Sequence, residues 1–254
     1  MSSKAKNDKE LFDEIVLEYA LKDYTLSTKL VRENEVISSL NLLGDTSKIK
    51  NIVEIGCGIA APYNYLSKYI DFDKYIGIDH SLGMIEKAKE LHKDNKNIFF
   101  ECVDIKNYDK FKEADLIIAL GVLHHVDNVE EFLSILSEKT NNNVTILVFE
   151  PISNNILINF IRNIRKKIDS SYSSEQVFFK PKELSEIFIN NNFKKVTYEY
   201  KGYISTPFGE VILKPIWLFT IISKITIFID AIIEKIFPEF LRKYSWGISL
   251  MAKK

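Results

Sequence analysis

The sequence predicts an α/β fold in which helices cover both faces of a doubly wound parallel sheet. Three observations support this prediction. Short apolar runs alternate with helical stretches between residues 50 and 151, the apolar runs are nearly continuous, and a glycine-rich turn follows the first run. Continuous apolar runs are typical of strands buried on both faces of a parallel sheet. With 254 residues, 46% of them hydrophobic, the chain suits one globular domain with insertions.

Each element is assigned from its length and its periodicity. The stretch 10–43 has a helical pattern and precedes the first strand. Strands are then predicted at 50–56, 74–80, 97–105, 114–122 and 143–151, and helices at 61–70, 82–94, 128–140 and 180–192.

Composition and charge exclude several classes of protein. The net charge is −1, which argues against a nucleic-acid partner, because such proteins normally carry a basic excess. Cys57 and Cys102 lie in or beside predicted strands, so a disulfide framework is not expected. The charged N-terminal stretch lacks the apolar run of a secretory signal, and a cytoplasmic protein is expected. His80 and His92 are isolated and no Cys/His spacing suggests zinc, so no metal site is predicted.

The glycine-rich turn fits two kinds of cofactor. Gly56, Gly58 and Ala61 satisfy the pattern GxGxxA, which binds the pyrophosphate of dinucleotides, so an NAD-dependent oxidoreductase is one interpretation. Glu54 lies two residues before the first glycine. Its carboxylate is hard to reconcile with an anionic pyrophosphate and suits a cation.

Four motifs, in order, resemble the successive motifs of the class I S-adenosylmethionine-dependent methyltransferases. They are VEIGCGIA, YIGIDHS, ECVDI and ADLIIALGVLHHV, which begin at residues 53, 75, 101 and 114. The resemblance covers about residues 52–252 and implies S-adenosylmethionine as the cofactor. It also implies a seven-stranded sheet with a sixth strand at 193–205 and an antiparallel last strand at 245–254. Ala60 departs from the family pattern, in which a third glycine is common.

The resemblance implies roles for individual residues. The glycine turn holds the methionine end of the cofactor, Asp79 binds the ribose hydroxyls, and Asp104 reaches the adenine amine. Alternatives remain for three positions: Asp79 as a helix N-cap, Asp104 as a turn residue and Met84 as a core residue rather than an adenine contact. The predicted cofactor-binding residues are Tyr24, Arg32, Glu54, Gly56, Cys57, Gly58, Asp79, His80, Met84, Asp104, Ile105 and Leu120.

The N-terminal segment, residues 1–43, is predicted to form a helical lid over the cofactor cleft, as in many relatives. Tyr19, Tyr24 and Arg32 are its candidate contacts, because an aromatic face attracts a sulfonium and a guanidinium holds a carboxylate. The alternative is that they are surface residues of a packed helix.

His124 and His125 follow the predicted strand 114–122 and are the candidate catalytic residues. A neutral imidazole there could take a proton from a hydroxyl as the methyl group departs. In the alternative interpretation, the pair only caps the next helix and closes the pocket. Methyl transfer asks little of a protein beyond alignment and dry surroundings, since the sulfonium already activates the methyl carbon.

The remaining chain, 44–254, is predicted to be a methyltransferase domain with cap insertions at about 152–179 and 206–244. The first contains ILINFIRNIRKKI, a basic amphipathic pattern, and the second contains IWLFTIISKITIFIDAIIEKIF, whose apolar surface is very broad. Lys224 and Asp230 interrupt the second run and argue against a membrane span. The insertions either pack together as a hydrophobic cap or dock on an anionic membrane as a peripheral contact.

These features predict methyl transfer to a small or medium apolar acceptor, including isoprenoid or lipid-linked molecules, with oxygen as the nucleophile. The alternatives are an NAD-dependent oxidoreductase and a cofactor-binding or membrane-docking module without turnover.

Overall fold

The computed structural model describes residues 3–153, 158–159, 176–237, 239–242 and 244–254. Within them, seven strands form one sheet in the order β3-β2-β1-β4-β5-β7-β6. Strands β1 to β5 pair in parallel, and β7 runs antiparallel to both β5 and β6. This topology confirms the predicted fold class, including the antiparallel last strand. The strands are β1 (Asn51–Ile55), β2 (Lys74–Asp79), β3 (Ile98–Cys102), β4 (Leu116–Leu120), β5 (Thr145–Pro151), β6 (Lys194–Lys201) and β7 (Gly247–Lys253).

The helices lie largely where the periodicity places them. They are α1 (Ser3–Glu14), α2 (Val16–Tyr24), α3 (Leu26–Leu40), α4 (Tyr63–Tyr69), α5 (Leu82–Leu91), α6 (Val129–Lys139), α7 (Pro181–Asn190), α8 (Thr206–Glu210), α9 (Ile216–Ile236) and α10 (Glu239–Arg242). The stretch 10–43, predicted as one helical pattern, contains three helices. The break between α2 and α3 is at Thr25, whose backbone is extended and whose carbonyl oxygen accepts a hydrogen bond from Thr28 Oγ1 at 3.0 Å.

Two layers of apolar side chains cover the two faces of the sheet. Neighbouring strand residues alternate between them, as Ile117 joins one buried cluster and Ile118 the other. Helices α6 and α7 pack on the first face, whereas α3, α4 and α5 pack on the second. The central strands are therefore buried on both faces, which is why they read as continuous apolar runs.

Helix α9 is anchored to the rest of the molecule through its polar side. Asp230 accepts hydrogen bonds from the backbone N–H groups of Tyr203, Ile204 and Ser205 at 3.0, 2.8 and 3.0 Å. The Ser205 hydroxyl also donates to this carboxylate, at 2.6 Å. Glu234 accepts from the N–H of Gly202 at 3.2 Å. These bonds fasten the chain that leaves β6 to one side of α9.

Only part of the first insertion lies within the described residues, namely 152–153, 158–159 and 176–179. The basic residues of the predicted amphipathic helix, Arg162, Arg165, Lys166 and Lys167, lie outside the described residues.

Replacing Asp230 by alanine is expected to lower the free energy of unfolding by roughly 2–4 kcal/mol, because three backbone donors lose their charged acceptor. Urea denaturation of the full chain, followed by circular dichroism, measures the change. Lys224→Ala is the matched control, since Lys224 is exposed on the same helix, and a change within about 0.5 kcal/mol is expected for it. Equal losses in the two variants would contradict the anchoring role.

Candidate functional site

The turn after β1 requires left-handed backbone at three positions. Gly56, Gly58 and Ala60 have φ angles of 64°, 52° and 56°. A Cβ at Gly56 would also lie 2.6 Å from Val122 Cγ2, so a side chain does not fit there. Ala60 adopts a conformation that favours glycine, which explains why a glycine is common at this place in the resembling family. The turn brings bare backbone to the carboxyl edge of the sheet.

Two cavities meet at Gly56. The first, here named the roofed cavity, has a volume of about 320 Å³ and is enclosed by the glycine turn, by α2 and α3, and by α8. The second, the edge cavity, has a volume of about 350 Å³ and lies beside the ends of β2 and β3.

Most predicted site residues line one of these cavities. Arg32, Glu54, Gly56, Cys57, Gly58, Leu120 and His124 line the roofed cavity. Gly56, Asp79, His80, Asp104, Ile105 and His125 line the edge cavity. The structure therefore places the two candidate catalytic histidines in different cavities.

Two predicted residues lie elsewhere. Met84 is 2% exposed and packs with Ala20, Ile59 and Ala61, so it is a core residue and is absent from the lining of both cavities. Tyr24 is exposed at the end of α2, whereas Tyr19 lines the roofed cavity. Five residues of helix correspond to about 140° of rotation, so both tyrosines could not face the same cavity.

The Asp79 carboxylate is fixed where β2 ends. One of its oxygens accepts a hydrogen bond from the N–H of Gly58 and the other from the N–H of Ser81, both at 2.9 Å. Ser81, and not Asp79, is the N-cap of α5, because its hydroxyl accepts from the N–H of Met84. Each Asp79 oxygen keeps lone-pair capacity for a further donor in the edge cavity.

Asp104 lies at the far wall of the edge cavity. Its carboxylate accepts from the N–H of Lys106 at 2.8 Å and caps the short 3₁₀ turn Ile105–Asn107. Asp104 is thus a turn residue that also lines the cavity, with the apolar Ile105 beside it.

Glu54 is a buried acid that lines the roofed cavity. It is buried and is hydrogen-bonded to the hydroxyl of Tyr75. Burial, together with the negative charge of Asp79, raises the pKa of Glu54 well above its usual range. Burial also raises the pKa of the Cys57 thiol. Both changes favour the uncharged, protonated form of the side chain.

Arg32 joins three helices around the roofed cavity. Its guanidinium forms an ion pair with Asp23 on α2 at 2.7 Å and donates from Nε to the carbonyl oxygen of Gly209 on α8 at 3.1 Å. It also lies 5.0 Å from the centre of the Tyr19 ring, within the range of a cation–π contact. Helix α3 thereby holds both α2 and α8 against the cavity.

Glu35, on α3, is a further acid that lines this cavity. Burial, and then the nearby charge of Glu210, raises its pKa from 4.5 to about 8. Glu35 is protonated at pH 7 as a result, so its carboxyl can donate a hydrogen bond.

His124 is oriented by a carboxylate that the sequence alone did not identify as its partner. Glu150, at the end of β5, is fully buried and accepts from His124 Nδ1 at 2.7 Å. It also accepts from the N–H groups of Val122, Leu123 and His124 at 2.8, 2.6 and 3.3 Å. Because Nδ1 donates to this carboxylate, Nε2 is the acceptor nitrogen of the ring. An acid inside the apolar run TILVFEP is the sequence signal for this pair.

The two histidine rings differ in their surroundings. The His124 ring stacks on Phe178, with centroids 6.1 Å apart and an interplanar angle of 17°. The His125 ring meets the edge of Phe12, 5.4 Å away, and lines the edge cavity. Only His124 combines a carboxylate partner with a place in the roofed cavity.

Comparisons with known proteins find methyltransferases and a related synthase. A family model described as a methyltransferase domain matches residues 53–145. The chain is 31% identical over 153 residues to a carboxy-S-adenosyl-L-methionine synthase of Helicobacter pylori, across 57% of this chain and 62% of that protein. It is 28% identical over 149 residues to a malonyl-[acyl-carrier protein] O-methyltransferase of Ilyobacter polytropus, across 59% of this chain and 54% of that protein.

A solved structure extends the likeness over nearly the whole fold. An S-adenosylmethionine-dependent methyltransferase from Thermotoga maritima superposes with a TM-score of 0.66 at 16% identity, over 97% of this chain and 99% of that one. The chain spans between about half and two thirds of the length of the two curated relatives.

The raised pKa of Glu35 predicts a pH-dependent stability. Between about pH 5 and pH 8 the folded state keeps a proton that the unfolded state releases, so the free energy of unfolding falls as the pH rises. Glu35→Gln cannot ionise, and the variant should therefore gain stability relative to the wild type across this window. Urea denaturation at pH 5, 7 and 9 measures the difference, with the exposed Glu130→Gln as the control. Parallel pH profiles for wild type and Glu35→Gln would contradict the assignment.

Proposed function

Because the chain belongs to the class I S-adenosylmethionine-dependent methyltransferase superfamily, we propose that it transfers the methyl group of this cofactor to an acceptor held in the roofed cavity. The observation that supports this most directly is the His124–Glu150 pair, which places an imidazole acceptor nitrogen beside the glycine turn. The acceptor we propose is a small or medium apolar molecule that is methylated at oxygen.

The residues present fit the cofactor. The left-handed turn at Gly56 and Gly58 leaves backbone without side chains between the two cavities, as close approach of a ligand requires. Asp79 is a fixed carboxylate with spare lone pairs, suited to vicinal ribose hydroxyls, and Asp104 offers an acceptor for an amine. When bound, S-adenosylmethionine supplies a methyl carbon that the adjacent sulfonium makes electrophilic. The carboxylates of Asp79 and Asp104 in the edge cavity suit this cation better than they suit a dinucleotide pyrophosphate.

His124 acts, in this proposal, as the base that accepts the proton of an acceptor hydroxyl. Glu150 is a positioning residue, because its carboxylate holds Nδ1–H and stabilises the imidazolium that proton transfer forms. The same carboxylate accepts hydrogen bonds from the backbone N–H groups of Val122 and Leu123, so it holds the loop that carries His124 as well as the ring itself.

The wall of the roofed cavity supports an apolar acceptor. Aromatic and apolar side chains form much of it: Tyr65, Phe149, Phe178, Pro207, Val211 and Trp246. Burial raises the pKa of Glu35 to about 8 and also raises the pKa of Glu54, and the protonated form that these shifts favour is compatible with an uncharged ligand. The relative from Ilyobacter polytropus is named as an O-methyltransferase, which agrees with oxygen as the nucleophile. We place the protein in the cytoplasm, in line with its two free cysteines.

Asp79→Ala tests the cofactor assignment. The variant should bind S-adenosylmethionine about 2–4 kcal/mol more weakly, because it loses two charge-assisted hydrogen bonds. Isothermal titration calorimetry with S-adenosylmethionine, S-adenosylhomocysteine and NADH measures the affinities, and the exposed Asp73→Ala is the matched control. Unchanged affinity in Asp79→Ala, or binding of NADH alone, would refute the assignment.

His124→Gln and Glu150→Gln test the proposed base. Transfer of a radiolabelled methyl group is measured on a panel of phenols, polyprenyl quinols and long-chain alcohols, with primary amines of matched size beside them. For an accepted hydroxyl, kcat should fall about 100-fold or more in His124→Gln, while KM for the cofactor changes little. Glu150→Gln should lower kcat and shift the pH–rate profile. His125→Gln is the comparison variant, and its kcat should fall much less than that of His124→Gln, because His125 lines the edge cavity and not the roofed cavity. Transfer to amines but to no hydroxyl would contradict methylation at oxygen.

A further inference from the structure

Helix α9 buries its polar side and exposes its apolar side, which is the reverse of an ordinary surface helix. Its buried residues are Thr220, Ser223, Thr226 and Asp230, all of them polar. Its large apolar residues face solvent instead, with Trp217, Phe228 and Ile236 67–68% exposed. Further exposed apolar residues of α9 are Ile216, Leu218, Ile221, Ile225 and Ile232. An apolar surface this continuous on one helix indicates a contact with another apolar phase.

The orientation of α9 is fixed by the anchoring bonds of its polar side. Asp230 holds three backbone N–H groups and the Ser205 hydroxyl, and Glu234 holds Gly202. The polar side also packs against α3. By length and composition α9 is the one helix among the described residues that could cross a membrane. To do so it would have to leave these partners and bury two carboxylates in hydrocarbon, which is costly.

The charges of α9 are sorted in the same way. Both acids, Asp230 and Glu234, lie on the anchored side, whereas Lys224 and Lys235 are exposed. Lys224 precedes Phe228 by four residues and Lys235 follows it by seven, so both lysines lie on the apolar side of the helix. The exposed side is therefore apolar and cationic. An anionic lipid surface complements both properties, because it offers hydrocarbon below a layer of negative headgroups.

We propose that the exposed side of α9 docks on an anionic lipid bilayer, with the helix lying flat in the interface. Trp217 and Phe228 enter the boundary between headgroups and acyl chains, while Lys224 and Lys235 extend to the anionic headgroups. A second copy of this chain complements the surface less well, since a self-pairing of the face would bring lysines against lysines.

Docking is independent of the proposed methyl transfer, because no residue of α9 lines either cavity. It adds one consequence that does rest on the proposed function. Helix α8, which contributes Thr206, Pro207 and Glu210 to the roofed cavity, lies between the anchored end of β6 and α9. The roof of the cavity is thus continuous in the chain with the docking helix, and an apolar acceptor dissolved in the bilayer is the substrate class that this arrangement suits.

Vesicle flotation of the full chain tests the docking surface. Wild-type protein should float with vesicles of phosphatidylcholine containing 30% phosphatidylglycerol, and its Trp217 fluorescence should shift to the blue. Trp217→Ser/Phe228→Ser should abolish flotation. Lys224→Gln/Lys235→Gln should raise the lipid concentration needed for half-binding about fivefold per lysine, and salt should narrow this difference.

The matched control is Phe99→Ser/Ile189→Ser, which removes two exposed apolar side chains from β3 and α7. It should float like the wild type. Circular dichroism shows whether each variant is folded. Calorimetric binding of S-adenosylmethionine tests the proposed function separately, so a failure of docking can be told apart from a failure of that function. If the wild-type protein does not float with anionic vesicles at low salt, the proposal is wrong. A concentration-dependent dimer, detected by analytical ultracentrifugation, that Trp217→Ser/Phe228→Ser dissociates also overturns it.

Discussion

The candidate site depends on the hydrogen bonds that the buried Glu150 carboxylate accepts. An ionised acid with no exposure to solvent is stable in a protein only when its lone pairs are occupied, and here three backbone N–H groups and His124 Nδ1 occupy them. Because those donors belong to the loop after β4, the carboxylate fixes that loop to β5. It also fixes Val122, which limits the space above Gly56. One side chain thus sets both the wall of the cofactor cleft and the direction of the imidazole.

The sheet and helix α9 bury opposite kinds of side chain, apolar in the sheet and polar in the helix. In the sheet, buried polar groups are hydrogen-bonded and helices cover the apolar strands, as in most soluble α/β proteins. In α9, the polar Asp230 occupies the position where a surface helix normally has an apolar anchor. The backbone from Tyr203 to Ser205 presents three N–H groups that need an acceptor, and this carboxylate accepts from all three. Satisfying them with a helical carboxylate turns the polar side of α9 inward. With the polar side held inward, the large apolar side chains of α9 lie on the side that faces solvent.

The sequence was informative wherever chemistry is local. Continuous apolar runs predicted the sheet, and the motif spacing placed Gly56, Gly58 and Asp79 at one edge, because a strand end and the turn that follows are set by neighbouring residues. It failed where the outcome depends on distant parts of the chain. The partnership of His124 and Glu150 joins residues 26 apart. Tyr19 and Tyr24 were both predicted as contacts of the cleft, but Tyr19 lines the roofed cavity and Tyr24 is exposed, since the twist of a helix decides which residue faces inward. The sequence also did not predict that the polar side of α9 faces the protein interior. Periodicity shows that a helix has a polar side, but it does not show what that side contacts.

Helix α3 connects these regions. It packs against α9, it contributes Glu35 to the roofed cavity, and its Arg32 holds Asp23 of α2 and the Gly209 carbonyl of α8. The guanidinium is desolvated and paired, so moving it away from Asp23 would leave a buried carboxylate without its cation, which is strongly unfavourable. The positions of α2, of α8 and of Glu35 around the roofed cavity are therefore all set by contacts of this one helix.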